Sequence, residues 1–221
     1  MNFPAGLFGN DWAYGAFVPL TFAWLWCLRT ADWKRIADPS QLNVWLGTIV
    51  ALVLTWSLKA EAHPGLNLHL IGATAFTLMF GRQWAILGLS VVMAAVTVNG
   101  GAAWESYALN VLLTAVYPCV AAHVLLRIVE RYLPAHFFVY IFCAAFFGAG
   151  IAVVSTGLMS TLLLWLAGIY PAEMLFSEYF PSFILLGFAE AWLNGAAITL
   201  MVVYYPHWVG SFDDRRYLIG K

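Results

Sequence analysis

The sequence predicts an all-α, polytopic membrane helix bundle of about seven transmembrane helices, with the N-terminus outside and the C-terminus cytoplasmic. Three observations carry that prediction. The 221 residues are 63% hydrophobic and only 10% charged, with a mean hydropathy of +0.82, whereas a soluble domain carries about 25% charged residues. Apolar runs close to the length of a membrane span recur along the whole chain. Once those runs are taken as spans, the basic residues fall almost entirely on one side. This composition excludes a cytosolic enzyme, a disulfide scaffold and a disordered chain. A formal net charge of -1 leaves no basic patch for nucleic acid, so lipid is the first partner of the chain.

The elements follow in order. The start, Met1-Asn2-Phe3-Pro4-Ala5-Gly6-Leu7-Phe8, has no basic region and no small-x-small cleavage site after it, so it is not a secretory signal. Asn2 is too large for efficient removal of the initiator, and Met1 is expected to stay. An apolar tail is disfavoured in water, and Pro4 and Gly6 allow it to fold back into the bundle. The spans then run from Trp12 to Leu28, Val44 to Leu58, Leu68 to Phe80, Trp84 to Val98, Tyr107 to Leu126, Phe137 to Leu166 and Phe183 to Tyr205. The third and fourth are short and are expected to line protein more than lipid. The stretch 137–166 reads either as one long tilted helix or as two short ones broken near Ser155-Thr156-Gly157.

Basic residues choose between those two. With seven helices, Arg29, Lys34, Arg35, Arg82, Arg127, Arg131, Arg215, Arg216 and Lys221 all lie inside, and Lys59 alone lies outside. Splitting 137–166 would send the Arg215, Arg216 and Lys221 tail outside, so the positive-inside rule favours seven. No repeat, low-complexity tract or long linker divides the chain, which reads as a single integral membrane domain, 1–221. Cys27, Cys119 and Cys143 sit in apolar runs as small hydrophobes. Tryptophans at helix ends read as interfacial anchors. No Walker loop, no His-Glu-x-x-His helix and no Gly-x-Ser-x-Gly elbow occurs, so the chain is expected not to be an enzyme.

Candidate chemistry gathers on the outer side. The Met1 amine, Glu61, His63, His69, the Asn99-Gly100-Gly101 turn and Glu105 converge there, while His123, His136 and His207 lie toward the inside. His69 and His123 therefore sit at opposite depths, which disfavours a shared haem or metal between them. Amine and imidazole nitrogens together suit Ni2+, Co2+ or Cu2+ in a tetragonal field. Glu190 and Asn194 lie four residues apart on one face of the last span. A carboxylate at that depth costs about 2.5–3.5 kcal/mol on insertion scales unless partnered. It reads either as a coupling residue on a cation path or as a helix–helix hydrogen-bonding group, with Asn110 as a candidate partner.

At this point the residues carry a resemblance. Met1-Asn2-Phe3-Pro4-Ala5-Gly6-Leu7 resembles the Met-His-Ile-Pro-Asp-Gly-Phe start of the CbiM/NikM family, the substrate-binding membrane components of energy-coupling-factor cobalt and nickel transporters. Leu68-His69-Leu70-Ile71-Gly72 is similar to that family's Gly-His-Leu-Leu-Gly. Phe80-Gly81 through Trp84-Ala85, Asn99-Gly100-Gly101 and Ala108-Leu109-Asn110 follow its Leu-Gly-Pro-Trp-Ala, Gly-Asp-Gly-Gly and Gly-Ala-Asn blocks in order. Gly187-Phe188-Ala189-Glu190-Ala191-Trp192-Leu193 resembles its seventh helix.

The resemblance implies a seven-helix bundle with the N-terminus tucked inside, and a metal held nearly square-planar. The implied donors are the Met1 amine, the Asn2 amide nitrogen and the His69 imidazole. This chain has Asn2 where the family has histidine, so a weak neutral oxygen replaces a strong nitrogen donor. His63 is the candidate for a replacement nitrogen. The family also implies ATPase and coupling transmembrane subunits as partners, in a bacterial inner membrane. Three readings stay open: a metal-transport component, a membrane accessory or sensor protein on the same scaffold, and a haem or copper oxidoreductase subunit.

Overall fold

The computed structural model describes residues 2–63 and 66–218, the side chains of Ala62 and His63 excepted. An apolar arm opens the chain. Phe3 and Phe8 are buried and meet edge to face, with ring centroids 5.0 Å apart, and Gly6 turns the arm at a φ of 71°. The fold-back expected from Pro4 and Gly6 is what residues 2–8 adopt. Helices α1 (Asn10–Gly15), α2 (Phe17–Thr30), α3 (Trp33–Ala37) and α4 (Pro39–Ser57) follow. Asp32 accepts from the Lys34 N–H and Asp38 from the Ser40 N–H, so side-chain caps start α3 and α4, with Pro39 in the first turn of α4.

A hairpin comes next, a departure from the all-α expectation. Strand β1 (Ala60–His63) runs antiparallel to β2 (Leu66–Leu68), with Ala60 opposite Leu68 and Glu61 opposite Asn67. Asn2 bridges antiparallel to Asn67, so the arm lies along the open edge of the hairpin. Beyond it come α5 (Ala73–Val98), α6 (Tyr107–Tyr132), α7 (Phe137–Leu166) and α8 (Ala172–Tyr204). A short 3-10 turn (Pro206–Trp208) and α9 (Asp214–Tyr217) end the described chain. Helices α4 to α8 are the five long and apolar enough to cross a membrane, and the protein is an integral membrane protein, mostly helical.

Helix α5 is folded back on itself at Gly81, whose φ of 79° and ψ of 161° are not helical. A Cβ on Gly88 would stand 2.5 Å from Phe76 Cε1; in a straight helix the two residues would be about 18 Å apart. The halves 73–80 and 82–98 therefore pack against each other as a tight helical hairpin. Glycine takes the positive φ at little cost, where a side chain would not. Of the five long helices α5 is the most buried, at 61% of its apolar window.

Two expected boundaries are corrected and one open reading is decided. The run beginning at Leu68 is helical only from Ala73, because Leu68 belongs to a strand and 69–72 are non-helical. Residues 137–166 form one helix, and its irregular turn is a π-helical one at Tyr140–Phe146 rather than at Ser155-Thr156-Gly157. The last helix starts at Ala172, well ahead of Phe183. It passes through a π-helical turn at Leu175–Tyr179 just before Pro181, as α6 does at Leu112–Val116 just before Pro118. A widened turn accommodates the N–H that proline lacks, so the helices continue where the sequence suggests a stop.

Helices α7 and α8 approach through small residues. A Cβ on Gly187 would lie 3.1 Å from the Gly150 carbonyl and 2.8 Å from Val154 Cγ2, the close contact that drives helix association in lipid. After α8 the chain returns beneath α5. The Gly210 and Ser211 N–H groups donate to the Met79 and Leu78 carbonyls, at 3.0 and 3.1 Å. The half-helix 73–80 is thereby closed at its C-terminal end by a segment from the other end of the sequence.

Candidate metal centre

The centre is built from two backbone segments, each set by a buried side chain from a long helix. The first is the arm. The Phe3 N–H donates to Asn110 Oδ1 at 2.8 Å, and Asn110 Nδ2 donates back to the Phe3 carbonyl at 3.3 Å. The Ser106 hydroxyl donates to the Pro4 carbonyl at 2.8 Å. Asn110 is 0% exposed, so this pairing satisfies an amide that would otherwise be costly to bury. Asn2, one residue before Phe3, is consequently buried, with its Nδ2 donating to the Gly101 carbonyl at 3.4 Å. Lys59 Nζ donates to the same carbonyl.

The second segment is the loop 69–72. Its N–H groups have no helical partners, and α8 supplies acceptors instead. Glu190 accepts from the Ile71 N–H and, at 3.1 and 3.2 Å on its two oxygens, from the Gly72 N–H. Asn194 Oδ1 accepts from the Ala75 N–H at 2.8 Å, while Asn194 Nδ2 donates to Glu190 Oε2 at 2.6 Å. A carboxylate at the first N–H groups of a helix is also favoured by the helix dipole. Gly72 sits in this turn with a φ of 71°.

These two segments bring Asn2 and His69 together. His69 is 3% exposed, its Nε2 is 3.1 Å from Asn2 Oδ1, and its Nδ1 is 3.0 Å from the Leu70 carbonyl. Both partners are carbonyl oxygens, which only accept, so each ring nitrogen of His69 faces an acceptor. Trp56 lies against the imidazole, with centroids 4.5 Å apart, and donates its Nε1–H to the Ile71 carbonyl at 3.1 Å.

Other residues named from the sequence fall elsewhere. Met1 and the His63 side chain lie outside the described residues; the His63 backbone pairs with Leu66 in the hairpin. Asn110 is corrected as a partner for Glu190, since it holds the arm while Glu190 holds the His69 loop. His123 is in the field of Arg82, at the Gly81 turn, and His69 stands near Gly101 beyond the other end of the half-helix 82–98. That half-helix is about 25 Å long, so the two histidines share no ligand. Among the described residues, no group of three or more His, Cys, Asp or Glu side chains is arranged to hold a metal. Cys27, Cys119 and Cys143 are free thiols.

Trp56 and Ser106 are the site residues that sequence reasoning missed. A tryptophan at a helix end reads as an interfacial anchor, yet Trp56 is 0% exposed. A cleft of about 720 Å³ opens between α4 and α8, floored by the half-helix 73–80, and Glu190 and Asn194 form part of its wall.

Comparison with known proteins agrees with this architecture. A family model described as the cobalt uptake substrate-specific transmembrane region, CbiM, matches residues 2–208. No curated protein matches the chain. A crystal structure described as a truncated transition metal transporter aligns with a TM-score of 0.79 at 13% identity, covering 92% of this chain and 99% of its own. A second, described as a transition metal transporter, also gives 0.79 and 13%, covering 94% of this chain and 96% of its own. At that identity the likeness establishes the fold, and the family match spans nearly the whole sequence. The chain belongs to the CbiM family of cobalt uptake substrate-specific transmembrane regions.

Proposed function

We propose that the chain is the substrate-binding membrane component of an energy-coupling-factor transporter for a divalent transition metal, with Co2+ or Ni2+ as cargo and Cu2+ as a third candidate. One observation carries this reading: His69 Nε2 and Asn2 Oδ1 face each other at 3.1 Å, both buried. A divalent first-row ion holds nitrogen and oxygen donors at about 2.0–2.2 Å, so two donors at right angles around it stand about 2.9 Å apart. The observed edge fits that spacing. The Nδ1–H bond to the Leu70 carbonyl supplies the outer hydrogen bond that metal-bound histidines use to fix their tautomer. The Met1 amine and the Asn2 main-chain nitrogen are the donors we assign to the remaining positions, with the His63 imidazole as the candidate to replace the weak Asn2 oxygen. The description of the family favours cobalt. The amide oxygen of Asn2 makes the set harder than a pair of imidazoles, which lowers its preference for Ni2+ and Cu2+.

The transport role needs partners. The sequence carries no Walker loop, so a nucleotide-hydrolysing pair and a coupling membrane subunit would supply the driving force. We count seven spans by taking the two halves of α5 separately and adding α2 to the five long helices. We place the N-terminus outside and the C-terminus in the cytoplasm, in a bacterial inner membrane. Cells expressing the chain with ATPase and coupling subunits should accumulate more Co2+ than cells lacking it. Unchanged uptake of Co2+, Ni2+ and Cu2+ would overturn the reading. The second reading, an accessory or sensor protein on this scaffold, is favoured by Asn2 itself. Purified protein that binds Co2+ without raising uptake would support it.

A further inference from the structure

We propose that Glu190 is the positioning residue of the metal site, holding the His69 loop in its ligating geometry from α8, with Asn194 orienting the carboxylate. This inference rests on the reading of Asn2 and His69 as metal donors. It decides between the two roles left open for Glu190, since neither a cation path nor a bond between two helix side chains describes its contacts. Glu190 is 1% exposed. Both of its oxygens are directed at the main chain two and three residues beyond His69, at the Ile71 and Gly72 N–H groups.

The peptide at Ile71 is held on both sides. Its N–H goes to Glu190, and its carbonyl accepts from Trp56 Nε1, whose ring lies 4.5 Å from the His69 ring. Loop and imidazole therefore move together or not at all. Residues 69–72 cannot satisfy their own N–H groups, because the helix starts only at Ala73. Without an acceptor at Glu190, two buried donors would be left bare, and the loop would have to rotate to find others. Rotation carries His69 Nε2 away from Asn2 Oδ1. Asn194 prevents the carboxylate from turning, by donating to Oε2 at 2.6 Å while its own oxygen accepts from the Ala75 N–H at 2.8 Å.

The test uses the purified full chain with Co2+ alone as the probe, comparing the unaltered protein with Glu190→Gln and Asn194→Ala. Three quantities are read: Co2+ affinity by calorimetry, the d–d absorption of the bound ion, and hydrogen exchange of the segment 69–72. Glu190→Gln puts an NH2 against the Asn194 Nδ2 donor and turns the side chain off the loop. It should therefore weaken Co2+ binding by about 10- to 100-fold, the range for groups that orient a metal ligand. It should also shift the Co2+ spectrum and speed exchange in 69–72. Asn194→Ala keeps the carboxylate and should give a smaller loss in the same direction, so it carries the test where Glu190→Gln does not fold. Variants that bind Co2+ with unchanged affinity and spectrum overturn the inference while leaving the metal site standing. Weakened binding with unchanged exchange in 69–72 also overturns it. Unaltered protein that binds no Co2+ overturns the metal reading and this inference with it.

Discussion

His69 and Asn2 reach each other only because two other residues, on two other helices, fix their backbones. Asn110 takes both main-chain groups of Phe3, and the Ile71 and Gly72 N–H groups of the His69 loop go to Glu190. On the proposed reading, His69→Ala removes a ligand outright and should cost more than the 10- to 100-fold typical of an outer-shell change, as measured by Co2+ titration. Asn2→His should raise Ni2+ affinity relative to Co2+, because a second imidazole favours the ion higher in the Irving–Williams order. Equal affinity ratios in the two proteins would remove Asn2 from the site. Asn110→Leu tests the arm. It leaves the Phe3 N–H and carbonyl buried without partners, at about 1–3 kcal/mol for a lost partner of this kind. The expected result is a lower unfolding temperature together with weaker metal binding; loss of stability alone would mean that the arm does not shape the site.

The half-helices of α5 and the glycines around them set the next scale. Gly72 combines a φ of 71° with a neighbour, Leu52 Cδ2, that would stand 2.5 Å from a Cβ. Gly72→Ala should therefore destabilise by about 1–3 kcal/mol through backbone strain, with the Leu52 clash adding to it. Gly47 is the contrasting case, a helix-interior glycine with nothing within 4 Å of its Cβ position. Gly47→Ala should stabilise by about 0.5–1 kcal/mol, and a drop in unfolding temperature would mean that the α4 face is packed against something. These elements also show what the sequence could reveal. The break between the third and fourth apolar runs was legible in Gly81-Arg82-Gln83, because a polar turn between short runs has one obvious place to bend. The hairpin was not, since Ala60–Leu68 contains no β-branched residue and pairs in part with Asn2, far off in sequence. His69 and Asn2 could be named in advance from local motifs. Trp56 could not, because a tryptophan at a helix end has the same neighbours in sequence whether it faces lipid or an imidazole. The Asn110 contact spans 107 residues, beyond any local pattern.

Across the whole molecule, polar contacts collect at two opposite ends of the bundle. One end joins the arm, Lys59, Gly101 and Ser106 around the candidate site. The other joins Thr30 to Gln83, Arg35 to Trp208, Ser211 to Tyr140 and Arg216 to Glu130. Among the described residues Lys59 lies at the first end, and Lys34, Arg35, Arg127, Arg131, Arg215 and Arg216 belong to the second. Short connections rich in Lys and Arg stay in the cytoplasm, so on the proposed topology the site faces outside, where a cargo ion would arrive. The prediction is read by cysteine labelling in intact cells. Cys27, Cys119 and Cys143 are first replaced by alanine, and a single cysteine is then introduced at Ala103, between α5 and α6, or at Ala135, between α6 and α7. A membrane-impermeant maleimide should label Ala103→Cys from outside and reach Ala135→Cys only after the membrane is opened. The reverse pattern would invert the bundle and put the site on the cytoplasmic side, against an uptake role. Labelling of both positions from outside would mean that α6 does not cross the membrane, and the seven-span arrangement would fall with it.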